Sequence, residues 1–96
     1  MIRSFADKET RKFFEGSKSK AVLPDVRERA ESKIVVLDAA KSLNDLKVPP
    51  GNRLEALRGD REGQHSIRIN RQYRVCFVWD NEAGDAYDVE ITDYHD

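Results

Sequence analysis

A chain of 96 residues suggests one domain, residues 1–96, with a core too small to enclose a large cofactor, and no apolar run approaches the ~18 residues of a membrane-spanning helix. The single cysteine, Cys76, excludes an internal disulfide and favours a reducing cytoplasm, and the N-terminus lacks the apolar stretch of a signal peptide. The net charge of −1 hides an asymmetry, because all 17 Lys and Arg but only 11 of the 18 acidic residues precede Cys76. Residues 1–75 therefore carry a charge of +6, which fits a nucleic-acid partner or an acidic protein partner.

The first residues predict a short strand and a helix. Residues 2–5 have the composition of a strand, and Asp7 can cap a helix that ends near Gly16. A basic loop with Lys18 and Lys20 follows. These lysines fit a surface that contacts nucleic acid, and they fit a merely solvated surface equally well.

A second helix is predicted after this loop. Asp25 with Glu28 three residues later has the spacing of a capping box, and the helix should end by about Ser42. Arg27 and Glu31 are spaced for an ion pair on its exposed side. Four apolar residues recur at helical spacing and predict one buried stripe: Val26, Ala30, Ile34 and Leu37.

The segment 47–52 contains two prolines and a glycine, so it cannot continue the helix. The rest of the chain predicts antiparallel strands, with a turn over residues 59–63. The predicted strands are residues 53–58, 64–69, 73–79 and 87–95. The expected fold class is therefore α+β, with two N-terminal helices packed on one face of a small, mainly antiparallel β-sheet.

Alternation along the strands assigns side chains to two faces of the sheet. The helices should cover the apolar face, formed by Ile67, Ile69, Val75, Phe77, Trp79, Val89 and Ile91. The opposite parity places Arg68, Arg74 and Tyr94 on what we call the arginine face. Asp88 and Glu90 share its parity and are interpreted either as peripheral residues or as ion-pair partners of the arginines.

The arginine face carries the residue types that internal RNA cleavage requires. The reaction needs a base for the 2′-OH and an acid for the leaving 5′-oxygen. Glu55, on a strand that can lie beside the hairpin, is the candidate base, although an ion pair with a neighbouring arginine is a competing interpretation. His95 is the candidate acid, and Tyr94 can orient the nucleotide.

Cations are also needed for the charge that develops on the phosphorane. Arg58 and Arg74 are the candidates that would hold the scissile phosphate, and Arg68 would help to position it. Solvated surface arginines that take part in no chemistry are the alternative.

With these residues in place, the chain resembles the RelE/ParE superfamily of toxins and, within it, the HigB-type plasmid maintenance killer proteins. The matching segments occur in the family's order and cover nearly the whole chain. They are residues 1–5, 37–40, 49–54, 59–63, 66–70, 73–77 and 93–95.

The resemblance implies the RelE-like microbial RNase fold and a toxin of a type II toxin–antitoxin system. Such a toxin cleaves mRNA in the ribosomal A site without a metal or cofactor. It implies neutralisation by a HigA-like helix-turn-helix antitoxin, with operator DNA bound only through the toxin–antitoxin complex. The ribosome and mRNA are the other implied partners, the location is the cytoplasm, and no membrane is involved.

The resemblance also assigns individual residues. Arg74 matches the phosphate-stabilising arginine, and Tyr94-His95 match the C-terminal catalytic pair. Arg58 stands where relatives carry Lys or Arg, and Glu55 stands where they carry either histidine or glutamate. Parity, charge and the resemblance together give the residues expected to contact RNA: Arg68, Asp93, His65, Lys18 and Lys20. His65 stands where relatives mostly carry an aromatic residue, which favours packing or stacking over catalysis.

Three other functions stay open. A non-catalytic poison of the ParE kind would act on a protein target such as DNA gyrase, but the Tyr94-His95 pair argues against it. An interaction module would only bind an antitoxin and operator DNA. A degenerate toxin would result if Glu55 is not a competent base.

Overall fold

The computed structural model describes residues 1–93. In this part the α-helices are α1 (Lys8–Phe14) and α2 (Arg27–Ala39). The strands are β1 (Glu55–Ala56), β2 (His65–Arg68), β3 (Tyr73–Asp80) and β4 (Asp85–Asp93). They form one sheet in the order β1-β2-β3-β4, and each strand is antiparallel to its neighbours. No helix within residues 1–93 is long and apolar enough to cross a membrane.

Helix α1 begins as predicted. The Asp7 carboxylate accepts the Thr10 N–H at 2.7 Å, which satisfies one of the unpaired donors of the first turn. The chain leaves the helix through Gly16, whose φ of +80° is costly for other residues. The buried Thr10 hydroxyl accepts the Ile91 N–H at 3.0 Å, so α1 is joined directly to β4.

Helix α2 begins differently from the prediction. Pro24 opens a 3₁₀ turn (Pro24–Val26) whose N-cap is Leu23, so Asp25 lies inside that turn, and Val26 is the N-cap of α2. The capping box predicted for Asp25 and Glu28 is therefore wrong. The predicted ion pair forms, with Arg27 Nε 3.5 Å from Glu31. The predicted stripe is confirmed, because its four residues are buried in the core: Val26, Ala30, Ile34 and Leu37.

The segment between α2 and β1 contains two short 3₁₀ turns, Leu43–Lys47 and Pro50–Asn52. The fully buried Asn52 side chain donates to the carbonyls of Leu46 at 3.2 Å and Val48 at 3.3 Å. Its Oδ1 accepts a hydrogen bond from Lys33 of α2. Asn52 thus fixes this loop to the helix by satisfying buried polar groups.

Two predicted strands are shorter than expected. Residues 2–5 form two parallel bridges to β4, Ile2 with Ala86 and Phe5 with Val89, and they cover its outer edge. The predicted strand 53–58 is reduced to β1. Arg53 has a left-handed backbone (φ 45°, ψ 57°) before it, and a 3₁₀ turn (Gly59–Arg61) follows.

The strand faces are confirmed by the register. Val75 pairs with Ile67 on one side and with Ile91 on the other, so these apolar residues share a face. A continuous core of buried residues extends from Ile2 to Ile91 and includes both helices. On the opposite face Arg68 pairs with Arg74. The predicted α+β class, with helices on one side of an antiparallel sheet, is confirmed.

Candidate active site

Arg74 is held by two hydrogen bonds on the arginine face. Its Nε donates to Ser66 Oγ at 2.8 Å, and its Nη2 donates to the carbonyl of Arg53 at 2.8 Å. Only 11% of the Arg74 side chain is exposed. The guanidinium is therefore fixed in direction, whereas a surface arginine is usually mobile and solvated.

Glu55 lies beside Arg74. β1 pairs with β2 so that Glu55 is opposite Ser66, which puts its side chain on the same face. A Glu55 carboxylate oxygen is 3.8 Å from Arg74 Nη2, and 57% of the Glu55 side chain is exposed. The structure brings Glu55 and Arg74 together, and their contact is the ion pair that the sequence analysis gave as the competing interpretation of Glu55. The role of Glu55 as a base stays a prediction.

Arg68 is on the same face of the sheet. It is the cross-strand neighbour of Arg74, and its Nε donates to the carbonyl of Asn70 at 3.1 Å. It also lines an open groove of about 970 Å³ between the N-terminal half of α2 and the turn after β2. Arg58 is exposed just before the 3₁₀ turn, and its side chain makes no ion pair with residues 1–93.

Within residues 1–93, Asp88 and Glu90 of β4 form no ion pair with Arg68 or Arg74. Glu90 lies 3.1 Å from Nη1 of Arg61, which also donates to Gln64 Oε1 at 3.1 Å. Asp88 has a φ of 52°, and its N–H donates to Ser4 Oγ at 2.8 Å, so it belongs to the edge of the sheet. Arg61 is thus a cation on the arginine face that the sequence analysis did not assign.

His65 stacks on Phe77, with ring centroids 6.2 Å apart and an interplanar angle of 24°. The two residues are paired across β2 and β3, on the apolar side of the sheet. The buried Nδ1 of His65 has no hydrogen-bond partner among the described residues. This placement is that of a packing residue, on the side of the sheet opposite Arg74.

The C-terminal motif is described only as far as Asp93. The Asp93 carboxylate accepts from Gln72 Nε2 at 3.1 Å, and its backbone is opposite Tyr73. Tyr94 and His95, the predicted catalytic pair, lie outside the described residues.

Lys18 and Lys20 are exposed on a loop that α1 holds in place. The Glu9 carboxylate accepts the Lys20 N–H at 2.7 Å, and the Glu9 carbonyl accepts from Ser19 Oγ at 2.6 Å. The bond from the Lys20 backbone and the nearby Lys12 ammonium hold the pKa of Glu9 below its ordinary value. The two lysines are thus presented from an anchored loop, and their contact with RNA stays a prediction.

Cys76 is fully buried beneath the arginine face, and this burial raises the pKa of its thiol. A protonated, inaccessible thiol is a poor nucleophile, which agrees with a packing role. Within residues 1–93 no group of three or more His, Cys, Asp or Glu side chains is arranged to hold a metal ion.

Sequence reasoning missed the two groups that hold Arg74. The register implied by a short hairpin turn would have found Ser66, since it places a serine diagonally across from Arg74. No sequence signal predicted the role of the Arg53 carbonyl. Its direction depends on a left-handed backbone, and the residue in that conformation is an arginine rather than the glycine or asparagine that usually indicates one.

Comparisons with known proteins agree with this fold. A family model described as HigB-like toxin, a RelE-like toxin of type II toxin–antitoxin system HigB, matches residues 3–95. The chain is 44% identical to Toxin HigB-1 of Vibrio cholerae over 80 residues, which cover 82% of this chain and 84% of that protein. It is 33% identical to Endoribonuclease HigB of Proteus vulgaris over 95 residues, 99% of this chain and all of that protein.

Two solved structures share the fold at low identity. A YoeB–YefM complex from Staphylococcus aureus aligns with a TM-score of 0.59 and 16% identity, covering 100% of this chain and 97% of that one. The toxin–antitoxin complex RelBE2 from Mycobacterium tuberculosis aligns with a TM-score of 0.51 and 20% identity, covering 100% of this chain and 92% of that one.

Proposed function

The chain belongs to the HigB-like family of RelE-like toxins of type II toxin–antitoxin systems, and we propose on that basis that it is a ribosome-dependent endoribonuclease that cleaves mRNA in the A site. A relative named as an endoribonuclease, Endoribonuclease HigB, matches the chain over 95 residues. The alternative within the superfamily is a non-catalytic poison that acts on a protein target such as DNA gyrase.

The observation that carries this proposal is the fixed guanidinium of Arg74 beside the Glu55 carboxylate. Stabilising the charge on a phosphorane requires a cation that is oriented before the reaction begins. Arg74 meets this requirement through its bonds to Ser66 and the Arg53 carbonyl. A protein that only docked on another protein would gain little from a guanidinium with 11% of its surface exposed.

In the proposed mechanism, Glu55 removes the proton from the 2′-OH, whose oxygen then attacks the adjacent phosphorus. Arg74 stabilises the charge on the phosphorane, with Arg58 and Arg68 as further phosphate contacts. His95 gives its proton to the leaving 5′-oxygen, and Tyr94 orients the nucleotide. The products are a 2′,3′-cyclic phosphate and a 5′-hydroxyl end. These side chains supply every proton transfer, so the mechanism calls for no metal or cofactor.

Dependence on the ribosome agrees with the charge of the chain. In this proposal the ribosome holds the mRNA strand in line for attack. The charge of +6 on residues 1–75 and the exposed Lys18 and Lys20 suit binding to ribosomal RNA. Asp93 is the remaining residue proposed for RNA contact, whereas His65, stacked on Phe77 on the apolar side of the sheet, is left out of that set.

The partner that neutralises the toxin is proposed to be a HigA-like helix-turn-helix antitoxin. Solved structures of YoeB–YefM and of RelBE2, which share this fold, are described as toxin–antitoxin complexes, and this supports an antitoxin partner. Operator DNA would be bound only through that complex, and mRNA on ribosomes places the toxin in the cytoplasm.

The test is inducible expression of the wild type and of His95→Ala, Arg74→Ala and Arg29→Ala, with mRNA 5′ ends mapped in each strain. Arg29 is an exposed arginine of α2 and controls for the loss of one positive charge. We expect new, translation-dependent 5′ ends with the wild type and Arg29→Ala, and none with the other two variants. Growth arrest without new 5′ ends would overturn the proposal in favour of a non-catalytic poison.

A further inference from the structure

Ser66 has a position that packing alone does not explain. It is a fully buried polar residue on the arginine face, and it is paired with Cys76 in the register of β2 and β3. Its hydroxyl oxygen is the acceptor for Arg74 Nε at 2.8 Å. A buried hydroxyl usually forms a hydrogen bond with a backbone group, whereas the Ser66 hydroxyl accepts one from a charged side chain.

The two bonds to Arg74 use one edge of its guanidinium. Nε and Nη2 lie along the same edge of the plane, and they donate to Ser66 and to the Arg53 carbonyl. The end formed by Nη1 and Nη2 retains N–H groups suited to a bidentate contact with a phosphate. Ser66 therefore determines which way the phosphate-binding end points.

The second acceptor is held in place by the preceding loop. The left-handed backbone of Arg53 directs its carbonyl, and the Arg53 N–H donates to the Pro50 carbonyl at 3.1 Å. The loop is fixed in turn by the buried Asn52 side chain. The guanidinium is thus bound by two elements of the fold, by Ser66 of β2 and by the Arg53 carbonyl of this loop.

We propose that Ser66 is a positioning residue that orients Arg74 toward the scissile phosphate. The proposal rests on the function proposed above and adds a residue that contacts neither RNA nor the reacting atoms. Its effect falls on the transition state, because a misdirected guanidinium still attracts RNA but no longer matches the phosphorane.

Ser66→Ala should therefore lower kcat about tenfold on ribosome-bound mRNA and change KM little, since orientation is lost while the charge remains. The matched control is Cys76→Ala, which removes one buried sulfur from the cross-strand neighbour. It should lower the melting temperature at least as much as Ser66→Ala does, and leave kcat unchanged.

A double-mutant cycle with Arg74→Lys separates positioning from general loosening. A lysine at position 74 has no guanidinium Nε–H to donate to Ser66. In the Arg74→Lys variant, adding Ser66→Ala should therefore lower kcat further by less than about twofold. A tenfold loss in both backgrounds, equal losses in Ser66→Ala and Cys76→Ala, or wild-type kcat in Ser66→Ala would each overturn the proposal.

A measurement without catalysis distinguishes this proposal from the proposed function. The Nε–H signal of Arg74 in a ¹⁵N NMR spectrum, assigned by its loss in Arg74→Lys, should be protected from solvent exchange in the wild type. It should lose that protection in Ser66→Ala and keep it in Cys76→Ala. Equal exchange in the wild type and Ser66→Ala would overturn the positioning role even if the wild type did not cleave RNA.

Discussion

Arg61 and Glu90 form an ion pair on the arginine face, with Nη1 and a carboxylate oxygen 3.1 Å apart. The pair joins the turn after β1 to the middle of β4, 29 residues further along the chain. The pair places Glu90, one of the seven acidic residues after Cys76, against the positively charged part of the chain, residues 1–75. In the free protein, Glu90 thus reduces the positive potential of the surface where we propose that RNA binds.

Replacing Glu90 by Gln should tighten ribosome binding. The substitution removes one negative charge from the arginine face and keeps a similar shape, so we expect Kd to fall about twofold to fivefold at low salt. The gain should shrink at high salt, because screening weakens the interaction. The free energy of unfolding should change by less than about 1 kcal/mol, since both side chains are partly exposed.

Glu82→Gln is the matched control for Glu90→Gln. Glu82 is exposed in the turn between β3 and β4, so the variant has the same net charge without altering the arginine face. Ribosome affinity measured by filtration at two salt concentrations should be unchanged in this control. Equal tightening in both variants would show that net charge, rather than the position of Glu90, sets the affinity.

The glycine of the turn between β3 and β4 should be intolerant of substitution. Gly84 has a φ of +70°, and an added Cβ would lie 2.6 Å from the Lys41 carbonyl oxygen. We expect Gly84→Ala to lower the free energy of unfolding by more than about 2 kcal/mol in urea titrations, from backbone strain and the clash combined.

Gly51→Ala provides the comparison, because an added Cβ there meets no described atom within 4 Å and the φ is not in the left-handed region. Its effect should stay within about 1 kcal/mol in either direction. Similar losses in both variants would contradict the close packing of Gly84 on Lys41.

Asp85 should make stability fall in acid. Arg3 Nε donates to its carboxylate at 3.0 Å, and this hydrogen bond holds the pKa of Asp85 below its ordinary 3.8. A carboxylate with a lowered folded pKa stabilises the fold above its ordinary pKa, and this stabilisation is lost as the pH falls through the folded value. The melting temperature of the wild type should therefore drop more steeply below pH 3.8 than that of Asp85→Asn.

Arg3→Gln is the reciprocal variant for this pH dependence. It removes the guanidinium that lowers the pKa of Asp85, so its melting curve in acid should be flatter than that of the wild type. Parallel pH profiles for the wild type and both variants would show that the Arg3–Asp85 contact does not contribute to acid stability.

The features that the sequence predicted correctly depend on periodicity. The stripe from Val26 to Leu37 and the alternation around Val75 and Phe77 are set by burial of apolar side chains, which repeats along the chain. Arg74 was placed on the arginine face by the same parity, and Glu55 by the expectation that its strand can lie beside the hairpin. These features follow from local spacing and needed no knowledge of the loops.

The features that were missed depend on single backbone conformations. Pro24 moved the start of α2 away from Asp25, and the left-handed Arg53 shortened β1. The hydrogen bonds of Arg74 to Ser66 and to the Arg53 carbonyl join residues 8 and 21 positions apart, so side-chain geometry decides them. Periodicity carries no information about such contacts.

The most direct test of the proposed ribonuclease site is single-turnover cleavage of mRNA by purified toxin on ribosomes with an empty A site. The wild type and Arg29→Ala should cut within the A-site codon, and neither should cut free mRNA. Arg74→Ala should be slower by at least about 100-fold, since it loses the oriented cation for the phosphorane. Cleavage by Arg74→Ala at the wild-type rate, or intact mRNA with the wild type, would contradict the account.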